Sequence, residues 1–152
     1  MSNVKGKRLK GFTLVELLLV IAIVAILAGV SFPYYSKILF RNSLSISNQA
    51  ISQSLRRAQL LSQSGQSDSQ WGIYAQANSL TLFSGATYAT RDSSLDELHN
   101  LSEGIVLTGD TEIVFEKFTG ELVVDKLLTL TLDNEEVNIY LNTKGMVGNT
   151  AP

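Results

Sequence analysis

Apolar residues fill the first third of the chain and then change rhythm twice. Phe12 to Phe32, FTLVELLLVIAIVAILAGVSF, is a run of 21 positions with a single charge, Glu16. As a helix it is about 31 Å long at ~1.5 Å per residue, close to the ~30 Å hydrocarbon core of a bilayer. From Pro33 to about Ser64 the apolar positions thin to one stripe. Phe40, Leu44, Ile51, Leu55 and Ala58 recur at spacings of four, seven, four and three. That is the seam of an amphipathic helix, with Ser, Asn, Gln and Arg on its other face. Ser64-Gly65-Gln66-Ser67 supplies a stop and a short linker.

Beyond the linker the period falls to two. Trp71-Gly72-Ile73-Tyr74-Ala75-Gln76 and Leu80-Thr81-Leu82-Phe83 flank Ala77-Asn78-Ser79, a hairpin signature. Residues 86–104 are polar and read as a long surface loop with room for one short strand. Ile105-Val106-Leu107, Ile113-Val114-Phe115 and Leu122-Val123-Val124 are short apolar runs bounded by glycines. Leu128–Leu132 and Val137–Leu141 alternate strictly, and Asp133-Asn134-Glu135-Glu136 links them as a second hairpin. Met146-Val147 starts a last short strand.

The pattern predicts an α+β chain. A long N-terminal α-helix, with a transmembrane half and an amphipathic half, packs against a C-terminal antiparallel β-rich head. Four segments follow: a basic leader over 1–11, the apolar helix over 12–32, the amphipathic helix over 33–64 and the head over 66–152.

Charge sharpens this division. Residues 1–11 carry Lys5, Lys7, Arg8 and Lys10 and no acid, which keeps that end cytoplasmic and places the head outside. Residues 66–152 carry 4 bases against 13 acids, so 4 − 13 = −9. An acidic head lacks the clustered Lys/Arg of a nucleic-acid footprint. The chain has no cysteine, which excludes a disulfide staple, a thiolate metal site and a cysteine nucleophile. The head is then held by burial and strand pairing.

Three readings of the apolar run compete. A secretory signal peptide has a shorter core, of about 7–15 residues, followed by a small-residue cleavage site. A plain signal anchor fits the length and the flanking charge but leaves Glu16 unexplained. A charge inside a membrane helix costs roughly 2.5–3.5 kcal/mol on insertion scales and points to function. The third reading uses that acid. Lys10-Gly11-Phe12-Thr13-Leu14-Val15-Glu16 resembles the processing site of type IV prepilins and type II secretion pseudopilins. The resemblance covers residues 5–34. It implies that a membrane prepilin peptidase cuts between Gly11 and Phe12 and methylates the new Phe12 amine. Residues 12–32 then become a filament-core helix. The expected partners are that peptidase and methylase, other pilin or pseudopilin subunits, the inner-membrane assembly platform, and membrane lipid before assembly. The expected location is the bacterial inner membrane, single-pass, and then a periplasmic or extracellular filament.

Elementary chemistry accommodates this. Glycine presents no side chain and lets a peptidase approach the backbone closely. Cutting after Gly11 creates a positive amine about one helical turn from Glu16. In a filament, that amine on one subunit would meet Glu16 of its neighbour. At ~4 Å and an effective dielectric near 20 the pair gains about 4 kcal/mol before desolvation. The plainer alternative is that Glu16 reaches the headgroups. Pro33 removes the donor to the carbonyl of Gly29, itself a weak helix former, so Gly29 and Pro33 mark either a functional bend or a tolerated kink.

The second half resembles the head of GspH/FimT-type minor pseudopilins. The carriers are Ile113-Val114-Phe115 before Thr119-Gly120, the Leu128–Leu141 hairpin, and Thr143-Lys144-Gly145-Met146-Val147. Some FimT-like members bind DNA through arginines after the final glycine, where this chain has Met146, Val147, Gly148 and Asn149. DNA is therefore not an expected partner. The only histidine, His99, reads as a surface residue of a polar loop rather than part of a Ser/His/Asp triad. Asp133, Glu135 and Glu136 lack EF-hand spacing and read as a solvated turn rather than a calcium site. Arg56 and Arg57 read as a solvated helix face, and Trp71 and Tyr74 as packing. No cofactor, resident metal or enzymatic activity is expected. A structural subunit leads, ahead of a DNA-binding competence pilin and a membrane-anchored enzyme.

Overall fold

A computed structural model describes residues 11–149, with the helical backbone alone for 30–37. Helix α1 runs Leu14–Gln63. The chain divides into two compact units, Met1–Ile38 and Leu39–Pro152. The expected bend falls near that division, and the Pro33 side chain lies outside the described residues.

From Leu17 to Gly29 the helix of the first unit is apolar all round. Leu17, Leu18, Leu19, Val20, Ile21, Ile23, Val24, Ile26 and Leu27 are all exposed. No helix among the described residues is long and apolar enough to cross a membrane. The helical apolar stretch with described side chains is Leu14–Gly29, 29 − 14 + 1 = 16 residues or about 24 Å.

The second unit is α+β, with eight strands among the described residues in two antiparallel sheets. Strands β1 (Trp71–Gln76), β2 (Ser79–Ser84), β3 (Glu97–Asn100) and β5 (Glu112–Phe115) form sheet A in the order β3-β2-β1-β5. Strands β4 (Val106–Gly109), β6 (Lys126–Leu132), β7 (Glu135–Leu141) and β8 (Val147–Asn149) form sheet B in the order β4-β6-β7-β8.

The helix stripe packs beneath these strands. Leu44, Ile51, Leu55 and Ala58 are fully buried, in one cluster with Ile73, Leu82 and Ile113 of sheet A and Leu128, Leu130 and Ile139 of sheet B. Alternation places them there: Leu128 faces Ile139 and Leu130 faces Val137 across β6 and β7. Burying each such side chain stabilises by roughly 1.5–3 kcal/mol. Gly65 ends the helix at φ 65, and a side chain there would strike the Phe118 ring.

Several details depart from the sequence reading. Both hairpin turns hold two residues, since Gln76 faces Ser79 and Leu132 faces Glu135. Glu135 and Glu136 therefore belong to β7, and Glu135 Oε2 lies 3.3 Å from Arg41 Nε. Leu122-Val123-Val124 is not a strand: Leu122 is buried, but Val123 and Val124 are exposed. The Leu122 amide bonds to Thr143 O (2.8 Å), which draws the segment away from β5.

The face of the helix opposite the apolar stripe carries serines, yet Ser47, Ser52, Ser54 and Ser62 are buried. Ser62 Oγ accepts from the Trp71 amide (2.8 Å) and lies within bonding distance of the Trp71 and Phe115 carbonyls (3.3 and 3.2 Å). A buried hydroxyl satisfied in this way costs little.

The 86–96 stretch is not a simple surface loop. Its Tyr88 packs on the face of sheet A that carries Tyr74 and Phe83, where Phe83 is fully buried, while its Leu95 packs against the main core. Tyr88 stacks on Tyr74 (4.0 Å between centroids) and meets Phe83 edge-on (5.5 Å). Arg91 lies over the Tyr88 ring at 3.7 Å. Its hydrogen bond to Asp96 (2.8 Å) holds the guanidinium further into its charged range.

Candidate processing and assembly site

The expected site residues Gly11, Phe12 and Glu16 lie at the start of the first unit. Gly11, Phe12 and Thr13 have no regular secondary structure, and Leu14 opens the helix. The Gly11–Phe12 bond is thus in non-helical chain. Nothing lies within 4 Å of where a Gly11 Cβ would be, and Phe12 is 83% exposed. Such a segment can enter a peptidase cleft without unwinding helix.

Thr13 fixes where the helix begins. Its Oγ1 accepts from the Glu16 amide at 3.2 Å, and its carbonyl accepts from the Leu17 amide at 3.2 Å. These are the bonds of an N-cap residue. The spacing Thr13-x-x-Glu16 is also that of a capping box, a signal present in the sequence that the reading above did not use. Glu16 stands in the first turn, where the positive end of the helix dipole favours a carboxylate. It shares a shallow apolar groove with Phe12, Leu17, Val20 and Ile21.

The geometry therefore brings together an exposed Gly–Phe bond, a capped helix start and one acid on an apolar surface. An unpaired apolar helix surface of this extent requires lipid or neighbouring helices to cover it. Gly29 is exposed further along, with no heavy atom within 4 Å of an added Cβ.

The head residues weighed for chemistry have structural placements. His99 lies in β3 rather than in a loop, paired opposite Leu80, and its Nε2 is buried with no hydrogen-bond partner. Arg57 forms a two-pronged bond to Glu97 (3.1 and 2.6 Å), so it ties α1 to β3 rather than standing free. That bond raises its pKa. Trp71 is buried, and its indole N–H donates to Gln66 O at 2.9 Å. Among the described residues, no group of three or more His, Cys, Asp or Glu side chains is placed to hold a metal ion.

Residues 6–32 match the family model described as the prokaryotic N-terminal methylation motif. The match spans Lys7, Arg8 and Lys10, the Gly11–Phe12 bond, Glu16 and the apolar run. No curated protein and no solved structure matches the chain significantly. The N-terminal segment thus carries a prepilin-type methylation motif, and the motif implies processing by a prepilin peptidase and assembly with pilins.

Proposed function

We propose that the chain is a structural, minor subunit of a type IV pilus or type II secretion pseudopilus. It is inserted in the inner membrane by residues 12–32, clipped after Gly11, methylated on Phe12 and drawn into a filament through its N-terminal helix. The observation that carries this reading is the methylation motif over 6–32, laid on an accessible Gly11–Phe12 bond directly ahead of a capped helix. The lone acid supports it further. Glu16 is the single charge in 21 residues, and the amine released at Phe12 is its natural counter-charge in a neighbouring subunit.

The head supports a GspH/FimT-like assignment. Strand β5, the β6–β7 hairpin and the Gly145 turn before β8 follow one another in the order that the resemblance gives. Intact-mass measurement of the chain from cells containing the peptidase tests the reading. The expected product begins at Phe12, carries one added methyl group and lacks the first 11 residues. A chain that keeps Met1–Gly11, or that starts after Ala28, overturns it.

A further inference from the structure

We propose that the free edge of β5 is a docking slot for an extended, basic segment of another polypeptide, which joins sheet A as a fifth strand. This goes beyond the subunit role and is independent of it.

The backbone makes the first case. The Ala75 amide donates to Thr111 O at 2.8 Å, and the register continues with Ile73 opposite Ile113 and Trp71 opposite Phe115. In an antiparallel pair, alternate residues spend both backbone bonds on one neighbour. Residues 111 and 113 face β1, and Phe115 faces the same side with its carbonyl taken by Ser62 Oγ (3.2 Å), so Glu112 and Val114 aim their N–H and C=O outward. The next outward group, the Glu116 amide, bonds to Glu121 O at 2.9 Å. There the returning chain lies beside β5, but only for one bond. Leu122 N then bonds to Thr143 O, and Thr143 N bonds to Asp125 Oδ1, both at 2.8 Å, which pulls the return segment toward sheet B. The result is a wedge, pinned at Glu116–Glu121 and open toward Glu112.

The wedge is lined by Thr87, Glu112, Val114, Val123, Val124 and Lys126. Val123 is 78% exposed and Val124 53%. One wall offers unpaired strand backbone and the other offers apolar side chains. Strand addition uses these two elements, ladder bonds for affinity and side-chain contacts for specificity.

Charge selects the occupant. Two copies pairing β5 to β5 antiparallel about Val114 would set Glu112 of each opposite Glu116 of the other, and like charges directly opposite are destabilising. Lys126 is paired with Asp110 and Lys117 with Asp68. Among the described residues no ion pair reaches Glu112 or Glu116; Glu112 Oε1 accepts from the Tyr88 amide at 2.7 Å, and its charge is left without a cation. The complementary strand therefore carries an apolar residue opposite Val114 and Lys or Arg two positions from it opposite Glu112, because the period of two puts both on one face. A second base beyond Val114 meets the exposed Glu116 carboxylate by its side chain alone, since the Glu116 amide is already bonded to Glu121 O.

The test uses the full-length chain in detergent micelles and a fluorescein-labelled acetyl-Lys-Thr-Val-Thr-Lys-amide peptide, followed by anisotropy. Saturable binding is expected. N-methylation of the central valine removes one ladder donor and should weaken it about five- to tenfold. Exchange of both lysines for glutamate should weaken it at least as much. Val114→Pro should abolish binding and leave the far-ultraviolet circular dichroism unchanged, because that N–H points away from β1. The two peptide comparisons use the unaltered chain and do not depend on how that variant folds. Absent saturation, or equal binding of the N-methylated or acidic peptide, overturns the proposal. So do concentration-dependent dimers of the free chain that Val114→Pro dissolves, since they would make a second copy the occupant.

Discussion

The side-chain amide of Gln59 donates to the Gly120 carbonyl at 3.0 Å, tying the last turns of α1 to the loop that follows β5. The same nitrogen donates to Lys144 O at 3.1 Å, in the turn that follows β7. One glutamine thus reads two loops that the sequence keeps apart. Gly145, at φ 72, leaves the room it needs.

Gln59→Ala should lower the stability of the folded head by about 1–3 kcal/mol, since the partly buried Gly120 carbonyl and the exposed Lys144 carbonyl both lose their donor. Gly145→Ala should cost a similar amount, through left-handed strain and a collision with Gln59. Urea unfolding monitored by Trp71 fluorescence measures both. A change below a few tenths of a kcal/mol in either variant would show that the clamp contributes nothing.

Glu16→Leu should still insert and still be clipped, because the Gly11–Phe12 bond and the Thr13 cap remain. It should enter filaments poorly when expressed beside the unaltered chain. Incorporation at the normal ratio, scored on sheared filaments, would remove the case for a Glu16–Phe12 contact between subunits.

Asp110 makes the head sensitive to acid. Its pKa is lowered, chiefly by the Leu127 amide (3.0 Å) and then by Lys126 (3.0 Å). A folded pKa below the unfolded value of ~3.9 contributes stability in full above that range and loses it as pH falls through the folded value. Asp110→Asn should therefore be less stable than the unaltered chain at about pH 7, with a gap that closes toward about pH 2. A gap independent of pH would mean that the carboxylate charge is irrelevant.

The head should bind duplex DNA negligibly at physiological salt. Its 13 acids outnumber its 4 bases over residues 66–152, and on the helix Arg57 is engaged by Glu97. Too few cations remain to displace counterions. A mobility-shift titration that found submicromolar, salt-sensitive binding would favour a competence role.

The sequence foretold what was local. Both hairpins, the Leu44–Ala58 stripe and the processing motif are contiguous patterns, and contiguous patterns carry their own periodicity. Pairing between distant segments was not legible. Nothing near Trp71 announces Phe115 as its partner in β5. The Leu122–Val124 run looked like a strand because it is apolar, but Thr143 and Asp125 redirect it. Nothing local marks Ser62 for burial, and only the tertiary fold supplies the three backbone groups around it. The Thr13 cap is local and legible in the Thr13-x-x-Glu16 spacing, where Glu16 is the third residue of a first turn as well as a lone charge.

The way α1 ends has a mechanical consequence. Ser62 engages β1 and lies against β5, Gln59 grips the loops after β5 and β7, and Gln63 Nε2 bonds to Thr119 O at 3.3 Å. These bonds are made by residues within five positions of one another, in the last two turns of the helix. Tension applied to the helix at Leu39 would load them together, with several donors strained at once. Bonds sheared in parallel share the force and yield together, whereas bonds peeled in series fail singly. The head would therefore follow its helix under load and keep both sheets folded up to the force at which the whole set gives way.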